Sequence, residues 1–258
     1  MNILLLREQE EEGEQHDKYH VCLGKDSDIV SRVTSIPVLA FQHNNLDKIT
    51  EFIANVNQYS GLIFTSRRAI VSLKKATSLE DIDTVGRTLD VYVVGRATAD
   101  CAKQLRLTSS KGKETGNAKE LSDLIINEKS DTIKPLMFLC GNLARETIPK
   151  RLTEKGIPNE SISCYRTIPD KQFEHNLKNY LDEFGPPDII VFFSPSGVEF
   201  HEHTLKRMCP GLLGKDIKTA CIGSYTSEAV VKLGFEVAGV AEKPTPEALF
   251  DVVKGFDR

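Results

Sequence analysis

The sequence predicts an α/β protein built from two doubly wound parallel-sheet domains, and three observations carry that expectation. Short apolar runs alternate with amphipathic helical stretches along the whole chain. The joints between them recur at one offset of 128 residues: Ser66 in Ile63-Phe64-Thr65-Ser66 answers to Ser194 in Val191-Phe192-Phe193-Ser194, Gly95 and Thr98 answer to Gly223 and Thr226, and Asn117 answers to Thr245. A length of 258 residues and a mass of 28.7 kDa suit two ordinary domains, each able to bury a core of its own.

Taken in order, the apolar runs Ile3–Leu6, Leu62–Phe64, Val91–Val94, Leu136–Leu139, Ile189–Phe193 and Ala220–Ile222 read as buried parallel strands. A strand covered on both faces needs no polar alternation. Helical stretches such as Ala97–Leu105 and Thr226–Leu233 follow most of them. The front half has a fourth unit: strand Leu136–Cys140, loop Gly141-Asn142, helix Glu146–Lys155 and an edge strand ending at Tyr165. The back half lacks it, but Ile3–Leu6, an acidic loop, a weak helix near Lys18–Gly24 and strand Ile29–Val33 repeat the same order at the N-terminus. We therefore expect one discontinuous domain, 1–36 with 168–258, and one inserted domain, 37–167. Two strands, around Ile36–Phe41 and Ile162–Ile168, would cross between them as a hinge that lets a cleft open and close.

Composition narrows the function. Hydrophobic residues make up 40% and charged residues 27%, the balance of a soluble globular enzyme. A net charge of −4 leaves no global basic field for nucleic acid or an anionic membrane, so an anionic ligand must be held by local groups. No apolar stretch approaches membrane-spanning length, and the first apolar run is too short for a signal peptide, which points to the cytoplasm. The run Glu10, Glu11, Glu12, Glu14 reads as a solvated loop. Six cysteines show no C-x-x-C spacing, and Cys101, Cys140, Cys164 and Cys221 sit in apolar runs, as reduced core thiols do. His201-Glu202-His203 lacks the spacing that would put two imidazoles on one helical face, so no metal is expected.

The repeated joints all fall where a strand hands over to a helix, the edge at which open α/β sheets bind ligands. Ser194-Pro195 and Thr245-Pro246-Glu247 are helix starts, with a capping hydroxyl followed by proline. Asn117-Ala118-Lys119-Glu120 resembles a capping box. Capping alone would account for these residues, yet a capped helix end still offers free N–H groups and partial positive charge to a carboxylate or phosphate. Gly95 and Gly223 would allow close approach of backbone to ligand, or simply make tight turns. Gly95-Arg96-Ala97-Thr98 is not a dinucleotide fingerprint, no phosphate-binding P-loop occurs, and no nucleophile elbow or Ser-His-Asp order supports acyl transfer. What remains is a hinged, acidic, two-domain protein suited to a ligand with several carboxylates.

Seven segments then resemble one family in its own order: Gly-Leu-Ile-Phe-Thr-Ser (61–66), Val-Tyr-Val-Val-Gly-Arg-Ala-Thr (91–98), Gly-Asn-Ala-Lys-Glu-Leu (116–121), Cys-Gly-Asn (140–142) with Tyr165, Phe-Phe-Ser-Pro-Ser-Gly (192–197), Ile-Gly-Ser-Tyr-Thr (222–226) and Pro-Thr-Pro-Glu-Ala-Leu (244–249). They resemble uroporphyrinogen-III synthase, in its eukaryotic branch by Ile-Leu-Leu-Leu-Arg (3–7) and Ile36-Pro37-Val38-Leu39. The resemblance implies two flavodoxin-like domains on a two-stranded linker and a monomeric, cofactor-free lyase of haem biosynthesis. Its substrate would be hydroxymethylbilane, which loses water and closes with inversion of ring D, and a preceding deaminase would be a transient partner. It implies that Thr65, Ser66, Gly95, Thr98, Asn117, Asn142, Ser194, Ser196, Gly223 and Thr226 hold the substrate, with Lys218 a basic position near the cleft. Tyr165 matches the tyrosine that would assist departure of the hydroxyl as an acid, or would pack between domains. The chain departs from the family at Tyr225 and Arg67, where a small or hydroxyl residue and a proline are usual. The competing classes are a non-catalytic two-lobed binding protein for a small polycarboxylate and a phosphoryl-transfer enzyme.

Overall fold

The structure, a computed structural model, describes residues 1–8, 17–129, 133–214 and 216–257. The acidic run at 10–14 lies outside the described residues. The chain opens with β1 (Asn2–Leu6), α1 (Lys18–Leu23) and β2 (Arg32–Ser35). It continues through β3 (Leu39–His43), α2 (Leu46–Ala54), β4 (Gly61–Phe64), α3 (Arg67–Ala76), α4 (Leu79–Thr88), β5 (Asp90–Val93), α5 (Gly95–Gln104), α6 (Ala118–Lys129), β6 (Leu136–Gly141), α7 (Thr147–Glu154) and β7 (Asn159–Pro169). It closes with α8 (Phe173–Phe184), β8 (Ile189–Phe192), α9 (Pro195–Met208), α10 (Gly211–Gly214), β9 (Lys218–Ile222), α11 (Ser224–Lys232), β10 (Gly239–Ala241) and α12 (Pro246–Lys254).

These elements form two compact units, Met1–Ala40 with Ile168–Arg258, and Phe41–Thr167. The first holds a five-stranded sheet in the order β10-β9-β8-β1-β2, with every neighbouring pair parallel. Each face has its own core: Leu4, Leu6, Ile190 and Phe192 point to one, and Ile3, Leu5, Ile189 and Val191 to the other. The second sheet runs β3-β7-β6-β4-β5, parallel from β7 to β5. Leu62 and Phe64 face one of its cores and Ile63 the other. Burial on both faces explains why the strands read as unbroken apolar runs.

The 128-residue offset holds at the level of strand register. Gly61 pairs with Asp90 as Ile189 pairs with Lys218, and the isolated parallel bridge Tyr92–Lys111 matches the pair Ala220–Gly239. Likewise β6 and β7 stand beside β4 as β1 and β2 stand beside β8. One unit is thus a circular permutation of the other.

Two expected strands differ in extent. The strand expected at Ile29–Val33 forms at Arg32–Ser35, because Val30 N–H donates to the Asp26 carbonyl and holds the preceding segment in a turn. The strand expected to end at Tyr165 continues to Pro169, since β7 also lies beside β3. Bonds from Asn44 N–H to the Cys164 carbonyl and from Asp170 N–H to the Val38 carbonyl run that pair antiparallel. Both passages of the chain between units fall within β3 and β7.

Candidate functional site

Within each unit the repeated joints gather at the carboxyl edge of the sheet. In the second unit, Thr65 and Ser66 follow the last residue of β4. Ser66 is extended (φ −153°, ψ 139°) and its Oγ accepts from Arg68 N–H at 3.1 Å. After β5, Gly95 takes φ 75°, a left-handed value that favours glycine, and α5 starts with no side-chain cap. Its first N–H groups therefore have no acceptor within the helix or from a capping side chain. Asn117 Oδ1 accepts from Lys119 and Glu120 N–H, each at 3.0 Å. Glu120 does not close a standard capping box: its carboxylate accepts from Gly116 N–H at 2.6 Å and from the Asn117 amide at 2.7 Å.

The first unit repeats this chemistry. Ser194 has φ −155° and ψ 149°, and its Oγ accepts from Gly197 N–H at 3.2 Å. Pro195 and half-buried Ser196 open α9. Gly223 takes φ 78° before α11, which again lacks a side-chain cap. Thr245 Oγ1 accepts from Ala248 N–H at 3.3 Å at the start of α12. A hollow of about 400 Å³ lies at this edge between Ser224, Ser227, Glu228, Val240 and Glu242.

Three of the expected site residues sit differently from their neighbours. Thr98 and Thr226 lie inside the first turns of α5 and α11 and are only 6% and 3% exposed, so helix phase turns them toward the core. The Gly95 and Gly223 N–H groups are themselves taken, donating to the Gly112 and Ala241 carbonyls at 3.4 and 2.9 Å. Lys218 is the first residue of β9, at the opposite end of the strand from Gly223, and its ammonium donates to the Phe256 carbonyl. Its repeat partner is Asp90, which bonds Lys111 and Lys129 at the corresponding edge of the other sheet. The structure does not bring Lys218 to the joints.

Asn142 and Tyr165 are brought together. The β6–β7 register shifts after Cys140, so that Gly141 pairs with Tyr165. Asn142 N–H donates to the Tyr165 carbonyl at 3.0 Å, and its Oδ1 accepts from Thr167 N–H at 2.8 Å. The Tyr165 ring lies against the α-carbon of Gly141, where a Cβ would come within 2.5 Å of it. Its edge meets Phe41 at 6.3 Å, and the Arg68 guanidinium lies 3.4 Å over the Phe41 ring. Arg68 and Phe41 carried no signal in the sequence, because their partners are distant along the chain.

Other groups singled out by sequence are structural. His201 is buried, stacks on Phe173 and donates from Nε2 to the Val38 carbonyl at 2.7 Å, and burial lowers its pKa. All six cysteines are free, and burial raises Cys140 to about 11 and Cys221 to about 12, which keeps them as thiols. At the end of β1, Arg7 pairs with buried Asp17 at 3.2 Å and lies over the rings of Tyr19 and Phe193. Among the described residues no group of His, Cys, Asp or Glu is placed to hold a metal ion, and no helix is long and apolar enough to cross a membrane.

The chain is similar to known proteins along most of its length. Residues 31–251 match the family model for uroporphyrinogen-III synthase HemD. The uroporphyrinogen-III synthase of Schizosaccharomyces pombe is 30% identical over 228 residues, covering 86% of each chain. That of Saccharomyces cerevisiae is 30% identical over 260 residues, covering 94% of this chain and 92% of the relative. The uroporphyrinogen-III synthetase structure from Helicobacter pylori aligns over 99% of both chains with a TM-score of 0.67 at 14% identity, which supports the two-domain α/β fold. The family match runs from the start of β2 into the last helix, the relatives cover most of the chain, and the chain belongs to the uroporphyrinogen-III synthase family.

Proposed function

We propose that the chain converts hydroxymethylbilane to uroporphyrinogen III as a lyase of tetrapyrrole biosynthesis. The observation that carries this reading is the pair of carboxyl edges, each with capped and uncapped helix starts at the same spacing, in a chain of this family. Every ring of the substrate bears an acetate and a propionate, and helix N-termini are suited to hold carboxylates. Thr65, Ser66, Gly95, Asn117 and Asn142 serve in the second unit, and Ser194, Ser196, Gly223 and the N–H groups beside Thr226 in the first.

The reaction begins when the hydroxyl leaves as water, giving an electrophilic methylene on ring A. Ring D attacks that methylene through its substituted α-carbon and forms a spirocyclic intermediate. The bond from this carbon to the ring C bridge then breaks, the freed bridge carbon bonds to the other α-carbon of ring D, and loss of the proton there restores the pyrrole and closes the macrocycle with ring D inverted. Hydroxymethylbilane closes unaided to the symmetrical isomer I, so the protein's task is to fold the chain for attack at the substituted carbon. Such positioning can lower a barrier by ~7–11 kcal/mol. The Tyr165 phenol donates a hydrogen bond to the departing hydroxyl. The enzyme works as a monomer and takes its substrate from the preceding deaminase. Buried free cysteines fit a reducing compartment such as the cytoplasm.

Incubating the protein with fresh hydroxymethylbilane, oxidising the products and separating the porphyrin isomers tests the proposal. Isomer III at rates above the spontaneous background is expected. Isomer I alone at the background rate would favour a non-catalytic polycarboxylate binder.

A further inference from the structure

We propose that Phe41, with the Arg68 guanidinium on its ring, is a positioning residue for Tyr165: the pair holds the tyrosine ring against Gly141 and fixes where its hydroxyl points. This inference rests on the reading of Tyr165 as the group that bonds the departing hydroxyl. All four residues belong to the Phe41–Thr167 unit. Asn44 N–H donates to the Cys164 carbonyl, so the antiparallel pair of β3 and β7 sets His43 opposite Tyr165 and Phe41 diagonal to it on the same face. A diagonal pair is within reach of aromatic side chains, and here the rings meet edge to face at 6.3 Å and 70°.

Folding asks for neither partner there. Tyr165 packs against the core that Leu62 and Phe64 line, but half-buried Phe41 is not among the described side chains that do. Its ring meets Tyr165 instead, and the Arg68 guanidinium carbon lies 3.4 Å from its centroid. A cation in the first turn of α3 is opposed by the helix dipole, and the face of the Phe41 ring supplies a compensating attraction. Arg68 N–H donates to Ser66 Oγ at 3.1 Å, so the cap that starts α3 also fixes the backbone from which the guanidinium reaches Phe41.

The tyrosine needs such a support. The β6–β7 register shifts where Gly141 pairs with Tyr165, and Gly141 presents no side chain to the ring. Ser72 Oγ lies 2.8 Å from His43 Nδ1, 3.0 Å from the Arg68 carbonyl and 3.1 Å from the Cys164 carbonyl, which ties β3, α3 and β7 together beside Tyr165. That knot holds the backbones, whereas Gly141 and Phe41 bound the swing of the ring itself. With Phe41 shortened, the ring can turn away from Gly141, and a misplacement of about 1 Å can cost ~10²-fold in rate.

The test places Phe41→Leu and Arg68→Gln in the unaltered chain and in Tyr165→Phe. It reads kcat and KM for hydroxymethylbilane, and the fluorine spectrum of protein carrying 3-fluorotyrosine. Loss of one signal in Tyr165→Phe identifies Tyr165 among the six tyrosines. We expect Phe41→Leu to lower kcat by roughly 3–20-fold, less than removal of the hydroxyl, with KM within about twofold. Phe41→Tyr, which keeps the ring, should recover most of that loss. Arg68→Gln alters an exposed side chain, so it tests the same point if Phe41→Leu folds poorly, and it should act in the same direction. Phe41→Leu and Arg68→Gln should each shift or broaden the Tyr165 signal and leave the other tyrosine signals in place. In the Tyr165→Phe background neither should lower kcat further, because no hydroxyl remains to aim. Equal losses in the two backgrounds, or an unmoved Tyr165 signal, would overturn the inference, as would a rise in KM with kcat unchanged, the mark of lost binding. A moved signal together with a kcat that Tyr165→Phe leaves untouched would refute the acid role of Tyr165 and leave its positioning by Phe41 standing.

Discussion

Tyr165 owes its place to a residue without a side chain. Because a Cβ on Gly141 would come within 2.5 Å of the ring, Gly141→Ala forces the ring or the strand to move, whereas Tyr165→Phe keeps the packing and removes only the hydroxyl. We expect Tyr165→Phe to lower kcat by about 10²-fold or less with isomer III still the enzymatic product. Gly141→Ala should lose at least as much activity and about 1–3 kcal/mol of stability through overpacking. A thousandfold loss in folded Tyr165→Phe would instead make proton delivery the central step. His201 gives a pH prediction of the opposite kind, structural and without effect on the product. Its folded pKa is lowered by burial, so its contribution is complete above the unfolded value near 6.5. Stability is then lost as pH falls from there through the folded pKa, by at most ~1.4 kcal/mol per pH unit. His201→Gln, which can still donate to the Val38 carbonyl, should show a flatter fall of melting temperature below pH 6.5. An unchanged slope would remove His201 from the acid response. At this scale the sequence was a partial guide. Tyr165 and Asn142 were legible as residues, but their meeting depends on a register shift beside Gly141 that no local pattern announces.

Helix starts show where local chemistry is enough. Ser66, Ser194 and Thr245 cap their helices as their side chains and neighbours indicate, because the bond to an N–H two or three residues on is made within one turn. Removing such a hydroxyl leaves one N–H without its acceptor, and Ser66→Ala or Ser194→Ala should lower stability by ~0.5–2 kcal/mol. Turnover should fall by roughly 2–15-fold, since a single hydroxyl contact contributes only ~0.5–1.5 kcal/mol. Abolished turnover with unchanged melting would point to a chemical role for the serine. Element-level reading fails where direction matters. Lys218 matches a basic position in the family by residue type, but only the structure shows that it begins its strand and so faces the other edge. Thr98 and Thr226 are hidden because the phase of a helix depends on where it starts, and both helices start at glycines with positive φ and not at a capping side chain.

For the whole molecule, sheet order decides which parts of the chain depend on which. The Phe41–Thr167 unit is continuous, whereas β1 lies inside the other sheet between β8 and β2. Without residues 1–36, the 168–258 segment loses an interior strand and the fully buried side chains Ile3, Leu4 and Leu5. We therefore expect residues 37–167 to fold when expressed alone and 168–258 to stay unprotected in amide exchange until 1–36 is supplied. A protected 168–258 fragment would contradict the discontinuous domain. The strand order was readable in the sequence because the offset is constant from strand to strand, whereas the unit boundary expected at 36/37 falls at 40/41, inside β3, which no local pattern marks. The position of β1 also has a consequence on the ribosome. Its apolar residues emerge first, but β8, the neighbour they need, is translated roughly ten to thirty seconds later. Over that interval the second unit gains its strands, the last ending at Pro169, while β1 has only β2 to pair with and keeps its other edge open to chaperones and to the same strand on neighbouring polysomal chains.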